Sequence, residues 1–341
     1  PLYNKGYYES CDLLMAISKQ TENINRSVLG ESAHDKVIGY VPHGINKNVF
    51  FPINEGDKQW DGLQEFKKNL FGTKEYEFVL MFNSRNIRRK SFPDTLLAWK
   101  LFVDGLPEDK KDKVAFIAHT QPVDENGTDL PAVIEMIWGK TPPNVFITGL
   151  NRFIPEQMNL LFNCADAGIL ISSNEGWGLS LTEAMMCGKP IIANVTGGMQ
   201  DQMRFEDENG DWIKFTEEFG SNHFGKYKKC GEWAFPVFPS NMSLIGSVPT
   251  PYIFDDRADF RDAAAQIKAI YDLSPEERKR LGNSAREWTL SDEAMMTSTN
   301  MGKNVIRYID QTFDTWIPRK SHDFIKIKEL SAKQNKTIIS L

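Results

Sequence analysis

Between residues 77 and 195, short and almost wholly apolar runs alternate with stretches of helical apolar spacing. The runs EFVLMFNS (77–84), VAFIAHT (114–120), NVFITG (144–149), AGILISS (167–173) and PIIANV (190–195) predict strands with no polar face. TLLAWKLFVDGL (95–106), PAVIEMIWG (131–139), PEQMNLLFNCA (155–165) and LTEAMMC (181–187) predict the helices between them. Strands that cannot turn a face to water need cover on both sides, and intervening helices supply it. The pattern therefore predicts a parallel, doubly wound α/β sheet. Such sheets bind ligands outside the carboxyl ends of their strands. Here those ends are Ser84-Arg85, His119-Thr120, Gly149-Leu150 and Ser173–Gly178.

The flanks depart from this rhythm. CDLLMAIS (11–18) and VIGYVPHG (37–44) predict two strands with a helical stretch between them. That is too little to bury a sheet, so residues 1–45 read as the last unit of a preceding domain lying mostly upstream of Pro1. A first residue that is not Met fits a processed chain or a piece of a longer one. Residues 205–255 read as a long irregular insertion, rich in aromatics and ending in the Pro-bearing run VFPSNMSLIGSVPTPY. Its aromatic content argues that it is ordered. Helices resume over 257–273, 274–289 and 292–313, with Ser274 and Glu277 forming a capping-box signature. After Trp316 the chain carries Arg319, Lys320, Lys326, Lys328, Lys333 and Lys336, which read as a solvated tail before a phosphate-binding arm.

Composition excludes several classes. With 341 residues, 41% hydrophobic and 25% charged, the chain is of ordinary globular type and large enough for two domains. No apolar run reaches the ~18–20 residues needed to span a bilayer, and no secretory leader is visible. A net charge of −6 argues against bulk nucleic-acid affinity. Cys11, Cys164, Cys187 and Cys230 are scattered, so neither a zinc site nor a disulfide framework is expected. Cys164 and Cys187 read as buried thiols, in keeping with a reducing cytoplasmic setting. The histidines have no metal-ligand spacing, and His119 reads as a core or edge residue.

Two carboxylates stand out. Glu175 precedes a loop with Gly176 and Gly178, and Glu183 follows eight positions later in the next helix. The glycines let a ligand approach the backbone, and a carboxylate beside them accepts sugar or ribose hydroxyls. Glu183 has a rival reading: Ser180-x-x-Glu183 is itself a capping-box pattern. Arg85, Arg88, Arg89 and Lys90 cluster between the strand 77–84 and a helix, a place suited to a diphosphate. Gly197-Gly198 adds a second flexible turn, a weak signal by itself.

The segment ISSNEGWGLSLTEAMMCGKPIIANVTGG (171–198) resembles the donor signature of retaining GT-B-fold glycosyltransferases of the glycogen-synthase- and sucrose-synthase-like group. AISKQTENI (16–24), VPHGINKNVFFP (41–52), NSRNIRRKSFPDTLLAW (83–99) and NVFITGL…LFNCADAGILISS (144–173) are similar to further parts of that pattern. His43 stands where the family more often has asparagine. The resemblance implies a GT-B fold with a Rossmann-like nucleotide-sugar-binding domain over 46–291, carrying 205–255 as an insertion. Residues 1–45 would be the end of an acceptor-side Rossmann-like domain, and 292–341 a helix returning toward it plus the basic tail.

The resemblance also implies roles. Glu175 would hold hydroxyls of the donor sugar, with the backbone of Gly176, Trp177 and Gly178 facing sugar and phosphate. Glu183 would bind the ribose. Arg85 and Lys90 would neutralise the departing diphosphate, and Leu179, Thr120 and Leu150 would complete the donor-binding set. The implied reaction is metal-independent and needs no cofactor beyond the nucleotide sugar as co-substrate. It moves the sugar to an acceptor hydroxyl on a glycan or lipid-linked saccharide, with a modified DNA base left open. A nucleotide-sugar 2-epimerase and a non-catalytic nucleotide-sugar-binding module are the rival readings.

Overall fold

A computed structural model of the chain describes residues 2–318 apart from 141, 143 and 151; the basic tail from Arg319 onward lies outside the described residues. A short helix α1 (Lys5–Ser10) leads into β1 (Leu13–Ala16), α2 (Lys19–Leu29) and β2 (Val37–Tyr40). The two strands pair in parallel as a sheet of their own. Ser18 caps α2 by accepting from the Thr21 amide at 3.0 Å, which satisfies one of the orphan donors of its first turn.

The chain then builds the larger sheet. In order it forms α3 (Trp60–Phe71), β3 (Phe78–Asn83), α4 (Phe92–Asp104), α5 (Glu108–Lys111), β4 (Val114–His119), α6 (Leu130–Trp138), β5 (Val145–Ile147) and α7 (Pro155–Asn163). It continues through β6 (Ala167–Leu170), α8 (Leu179–Met186), β7 (Ile191–Asn194), α9 (Met199–Met203) and β8 (Ala234–Val237). The strands lie in the order β5-β4-β3-β6-β7-β8, all parallel. The first five residues of both β3 and β4 and all of β6 and β7 are buried, as strands without a polar face require. The strand order reverses between β3 and β6. That topological switch point opens a crevice at the carboxyl edge of the sheet.

The insertion is more regular than its sequence suggests. Residues 234–237 supply the sixth strand of the sheet, paired along β7, so the expected break in the α/β pattern ends before Ala234. The Pro-bearing run then forms a long antiparallel ribbon of β9 (Pro239–Ser247) and β10 (Thr250–Ala258), with register irregularities at Thr250/Ile253 and Arg257/Ala258. A two-stranded ribbon has edges on both sides, which is where proline is tolerated in a strand.

Helices α10 (Phe260–Tyr271), α11 (Pro275–Leu290) and α12 (Ser298–Thr315) close the described chain. Helix α10 packs on α4, and α11 on α8. The expected capping box at α11 is half formed: Ser274 accepts from the Glu277 amide, while the Glu277 side chain turns to Arg280. Helix α12 returns to the small sheet, where the Tyr308 ring lies so close to Gly39 that a Cβ there would sit 2.2 Å from it.

Candidate functional site at the switch point

The loop after β6 carries Glu175 to the mouth of the crevice, where the residue is only 9% exposed. A carboxylate so buried needs partners. It has two: Arg89 Nη1 donates to Glu175 Oε2 at 2.9 Å, and Lys90 Nζ makes a short contact with the same oxygen. Arg89 also donates to the Asn174 carbonyl at 2.8 Å. Both cations come from the short 3-10 turn Arg88–Lys90 that follows β3. Burial lowers the Lys90 pKa, and the Glu175 charge pulls it back up. Two cations on one carboxylate leave the group with a net positive charge, open to an anion.

Glu183 lies across the same cavity, of about 530 Å³, lined also by Asn83, Ser84, His43 and Ile17. Burial pushes its pKa up to about 7, against the Asn83 amide, which donates to Oε2 at 3.3 Å. The capping-box reading of Glu183 is corrected. Gly178, at φ +90°, is the N-cap residue of α8, so Ser180 already lies inside the first turn and Glu183 sits one turn further on. The start of α8, with Leu179 and Ser180, lines the cavity and presents the free amides of a helix N-terminus.

The loop backbone is fixed from behind. Trp177 is 2% exposed, and its indole Nε1 donates to Thr182 Oγ1 at 3.0 Å; the ring is an anchor in the core, and only its backbone faces the crevice. Gln202 donates to Thr182 Oγ1 and to the Gly178 carbonyl. The Gly197-Gly198 turn lies directly against the loop, with the Gly198 amide donating to the Glu175 carbonyl at 3.0 Å. A Cβ on Gly197 would sit 1.9 Å from that carbonyl oxygen. The Gly-Gly pair, weak as a sequence signal, is thus part of the site.

The remaining expected residues separate. Arg85 turns away from Glu175: its guanidinium pairs with Asp124, with Nε 2.6 Å from Oδ2, and its side chain is 60% exposed. Of the arginines in this cluster, Arg89 is the one that meets Glu175. Thr120 and Leu150 line a neighbouring cavity with Arg85, His119, Gly149 and Arg152, and Ser84 borders both spaces. The buried Thr120 hydroxyl has no hydrogen-bond partner among the described residues. His119 is an edge histidine stacked on Phe153, its Nδ1 2.9 Å from Thr148 Oγ1, and burial lowers its pKa. Sequence reasoning missed Asn83 as a partner of Glu183, although its place at the end of a strand beside the switch point marked it.

Cys164 and Cys187 are buried, as expected, and burial pushes the Cys164 thiol up to about 12. No group of three or more His, Cys, Asp and Glu side chains suited to a metal ion occurs among the described residues. None of their helices is long and apolar enough to cross a membrane.

Residues 140–219, which contain the Glu175 loop and α8, match the family described as glycosyl transferases group 1. Over 215 residues the chain is 24% identical to the alpha-monoglucosyldiacylglycerol synthase of Acholeplasma laidlawii, covering 63% of this chain and 49% of that protein. Over 170 residues it is 28% identical to a D-inositol 3-phosphate glycosyltransferase of Geodermatophilus obscurus, covering 48% of this chain and 34% of that one. The chain thus spans half or less of the length of these curated relatives. Among solved structures it is similar to a sucrose-phosphate synthase from Thermosynechococcus elongatus, with TM-score 0.64, 17% identity, and coverage of 92% of this chain and 62% of that one. It is also similar to the Anabaena protein HepE in complex with UDP and glucose, with TM-score 0.60, 14% identity, and coverage of 91% and 68%. The fold is that of the GT-B glycosyltransferases.

Proposed function

We propose that the chain carries the donor half of a retaining glycosyltransferase, which moves a sugar from a nucleotide-diphosphate sugar to an acceptor hydroxyl. One observation carries this reading: Glu175, held by Arg89 and Lys90, faces Glu183 across a cavity at the switch point of the sheet. The match of residues 140–219 to group 1 glycosyl transferases supports it.

In this reading the free Glu175 oxygen accepts hydroxyls of the donor sugar beside the Gly176–Gly178 backbone. Glu183, steadied by Asn83, accepts the ribose hydroxyls. The base lies toward Thr120 and Leu150, where the unpartnered Thr120 hydroxyl can meet a polar base edge. Arg89, Lys90 and the start of α8 meet the diphosphate. Their charge counts most when the bond from the anomeric carbon to the phosphate oxygen breaks and the leaving group becomes most negative. The acceptor oxygen attacks on the same face, and its proton passes to the leaving phosphate, without a divalent ion. Arg85, already neutralised by Asp124, takes at most an outer part. Residues 1–45, with α12 packed on them, are the end of the acceptor-side domain. The acceptor is a hydroxyl of a glycan or lipid-linked saccharide; among the curated relatives, the name alpha-monoglucosyldiacylglycerol synthase supports an acceptor that carries a lipid.

A thermal-shift screen against nucleotide sugars tests donor binding, since a ligand of the native state raises the midpoint by mass action. A nucleotide sugar that shifts the wild type and not Glu183→Gln supports the reading, and no shift with any nucleotide sugar overturns it. Incubation with donor alone separates the rival enzyme: slow release of free sugar supports a transferase, whereas an epimerised nucleotide sugar marks a 2-epimerase.

A further inference from the structure

A second cavity, of about 480 Å³, lies on the far side of the Glu175 loop from the donor cavity. Glu175 and Gly176 line both spaces. One wall is the helix α2, which presents Ile24 and Val28. The other is the ribbon strand β10, which presents Tyr252, Ile253 and Phe254, and Phe219 lies between them. The polar groups outside the loop are uncharged, chiefly Ser18, Gln20, Thr21, Asn23 and Ser27, except for Glu217.

The ribbon wall is fastened to the sugar loop. The Asp256 amide donates to the Ser173 carbonyl at 2.8 Å, and Asn174 Nδ2 donates to the Phe254 carbonyl at 3.2 Å. Asn194 Nδ2 donates to the carbonyls of both Asp256 and Ser172, and Thr196 Oγ1 donates to Asp256 Oδ2 at 2.6 Å. The apolar wall therefore keeps a set position relative to Glu175. A mostly apolar, preformed cavity with a few convergent polar groups at one end is the usual form of a site for an amphipathic small molecule.

We infer that this cavity receives the hydrocarbon portion of the acceptor, and that the acceptor hydroxyl emerges at Glu175–Gly176, where the donor sugar arrives. This assigns the ribbon 239–258 to acceptor selection and the substrate class to glycosides or alcohols with an apolar aglycone. It rests on the donor reading given above. The geometry makes the choice: a wholly polar saccharide would leave the faces of Ile24, Ile253 and Phe254 without a partner, while a chain or ring of hydrocarbon character covers them.

The test uses methyl, hexyl and octyl β-D-glucopyranoside as probes, below micelle-forming concentrations, with the full chain and with UDP-glucose measured separately. Calorimetric affinity is expected to tighten by about three- to fourfold per added methylene until the cavity is filled. Ser27 is exposed on α2, so Ser27→Trp is a mild change that plugs the cavity from its rim. It is expected to abolish the dependence on chain length and leave UDP-glucose binding unchanged. Ile24→Gln is expected to weaken octyl glucoside binding about tenfold and leave methyl glucoside unaffected. Equal affinities for methyl and octyl glucoside, or a dependence on chain length that persists in Ser27→Trp, overturn the proposal. Loss of every nucleotide-sugar signal with the chain-length dependence intact would instead strike at the donor reading alone.

Discussion

Glu175 carries two structural debts at once, to Lys90 and to Arg89, and Lys90 is the more buried of the two cations. Removing the carboxylate strands a buried ammonium, which costs more than the pair contributes. Glu175→Gln should therefore lower sugar transfer at least about a hundredfold and destabilise the fold by about 1–3 kcal/mol. Adding Lys90→Met should recover most of the stability without restoring transfer, and chemical denaturation beside an activity assay checks both. Glu183 gives a pH signature. Its native pKa is raised to about 7, so near pH 6 the carboxyl is mostly protonated and a poorer acceptor for two ribose hydroxyls. A nucleotide-diphosphate sugar, whose diphosphate diester does not titrate in this range, should bind about tenfold tighter at pH 8 than at pH 6 if only the carboxylate form binds. Calorimetry on Glu183→Gln should show that dependence gone; a pH profile shared by both proteins would reject the ribose role. Spacing singled out Glu175, Glu183 and the cluster of Arg85, Arg88, Arg89 and Lys90, and the structure brings Glu175, Arg89 and Lys90 into contact. Spacing did not reveal that Arg89, and not Arg85, meets Glu175, because the choice among neighbouring arginines is made by the tight 3-10 turn at Arg88–Lys90 and by Asp124, which lies 39 positions from Arg85.

At the scale of elements, the turn between β7 and α9 leaves no space for a side chain at Gly197 or Gly198. Gly197 has φ +53° and no room for a Cβ against the Glu175 carbonyl. Gly197→Ala should cost roughly 2–4 kcal/mol and weaken donor binding, because the Glu175 loop must move to admit the methyl. Gly62 is the contrasting case, exposed within α3 with open space where a Cβ would go. Gly62→Ala should raise stability by about 0.5–1 kcal/mol and leave ligand binding alone. Thermal melts with and without nucleotide sugar separate the two outcomes. The central alternation of strands and helices was legible because a two-face-buried strand leaves no other reading of its residues. β8 and the ribbon were not. AFPV (234–237) is short, contains a proline and follows a long irregular stretch, and it becomes a strand only because β7 offers an unpaired edge. The ribbon is a local hairpin whose prolines and irregular register blur the period-two pattern.

In the whole molecule, the small sheet meets the large one at Asp201. This fully buried residue of α9 accepts from the Lys19 amide at 2.8 Å, at the start of α2. Burial raises its pKa from an ordinary 3.8 to about 7. The native state therefore holds this proton where the unfolded chain has lost it, so the stabilising contribution is complete below about pH 4 and disappears as pH rises to about 7. Asp201→Asn, which keeps an acceptor for the Lys19 amide, should flatten the fall of the melting midpoint across that window. Parallel midpoint curves for the two proteins would contradict it. The two strands and the helix between them were legible in residues 11–44, yet nothing in their sequence announced a buried carboxylate 182 positions beyond Lys19.

The Glu175 loop also bears on the order in which the chain folds. Its ties to Arg89 close 86 residues of chain, and those of Asn194 to the ribbon close 62. Contacts of such length form late, since their loop entropy is lost before they return any stabilisation. On refolding, helical signal should return first and nucleotide-sugar affinity last, so ligand binding is a stricter measure of a completed native state than any spectroscopic gain of helix.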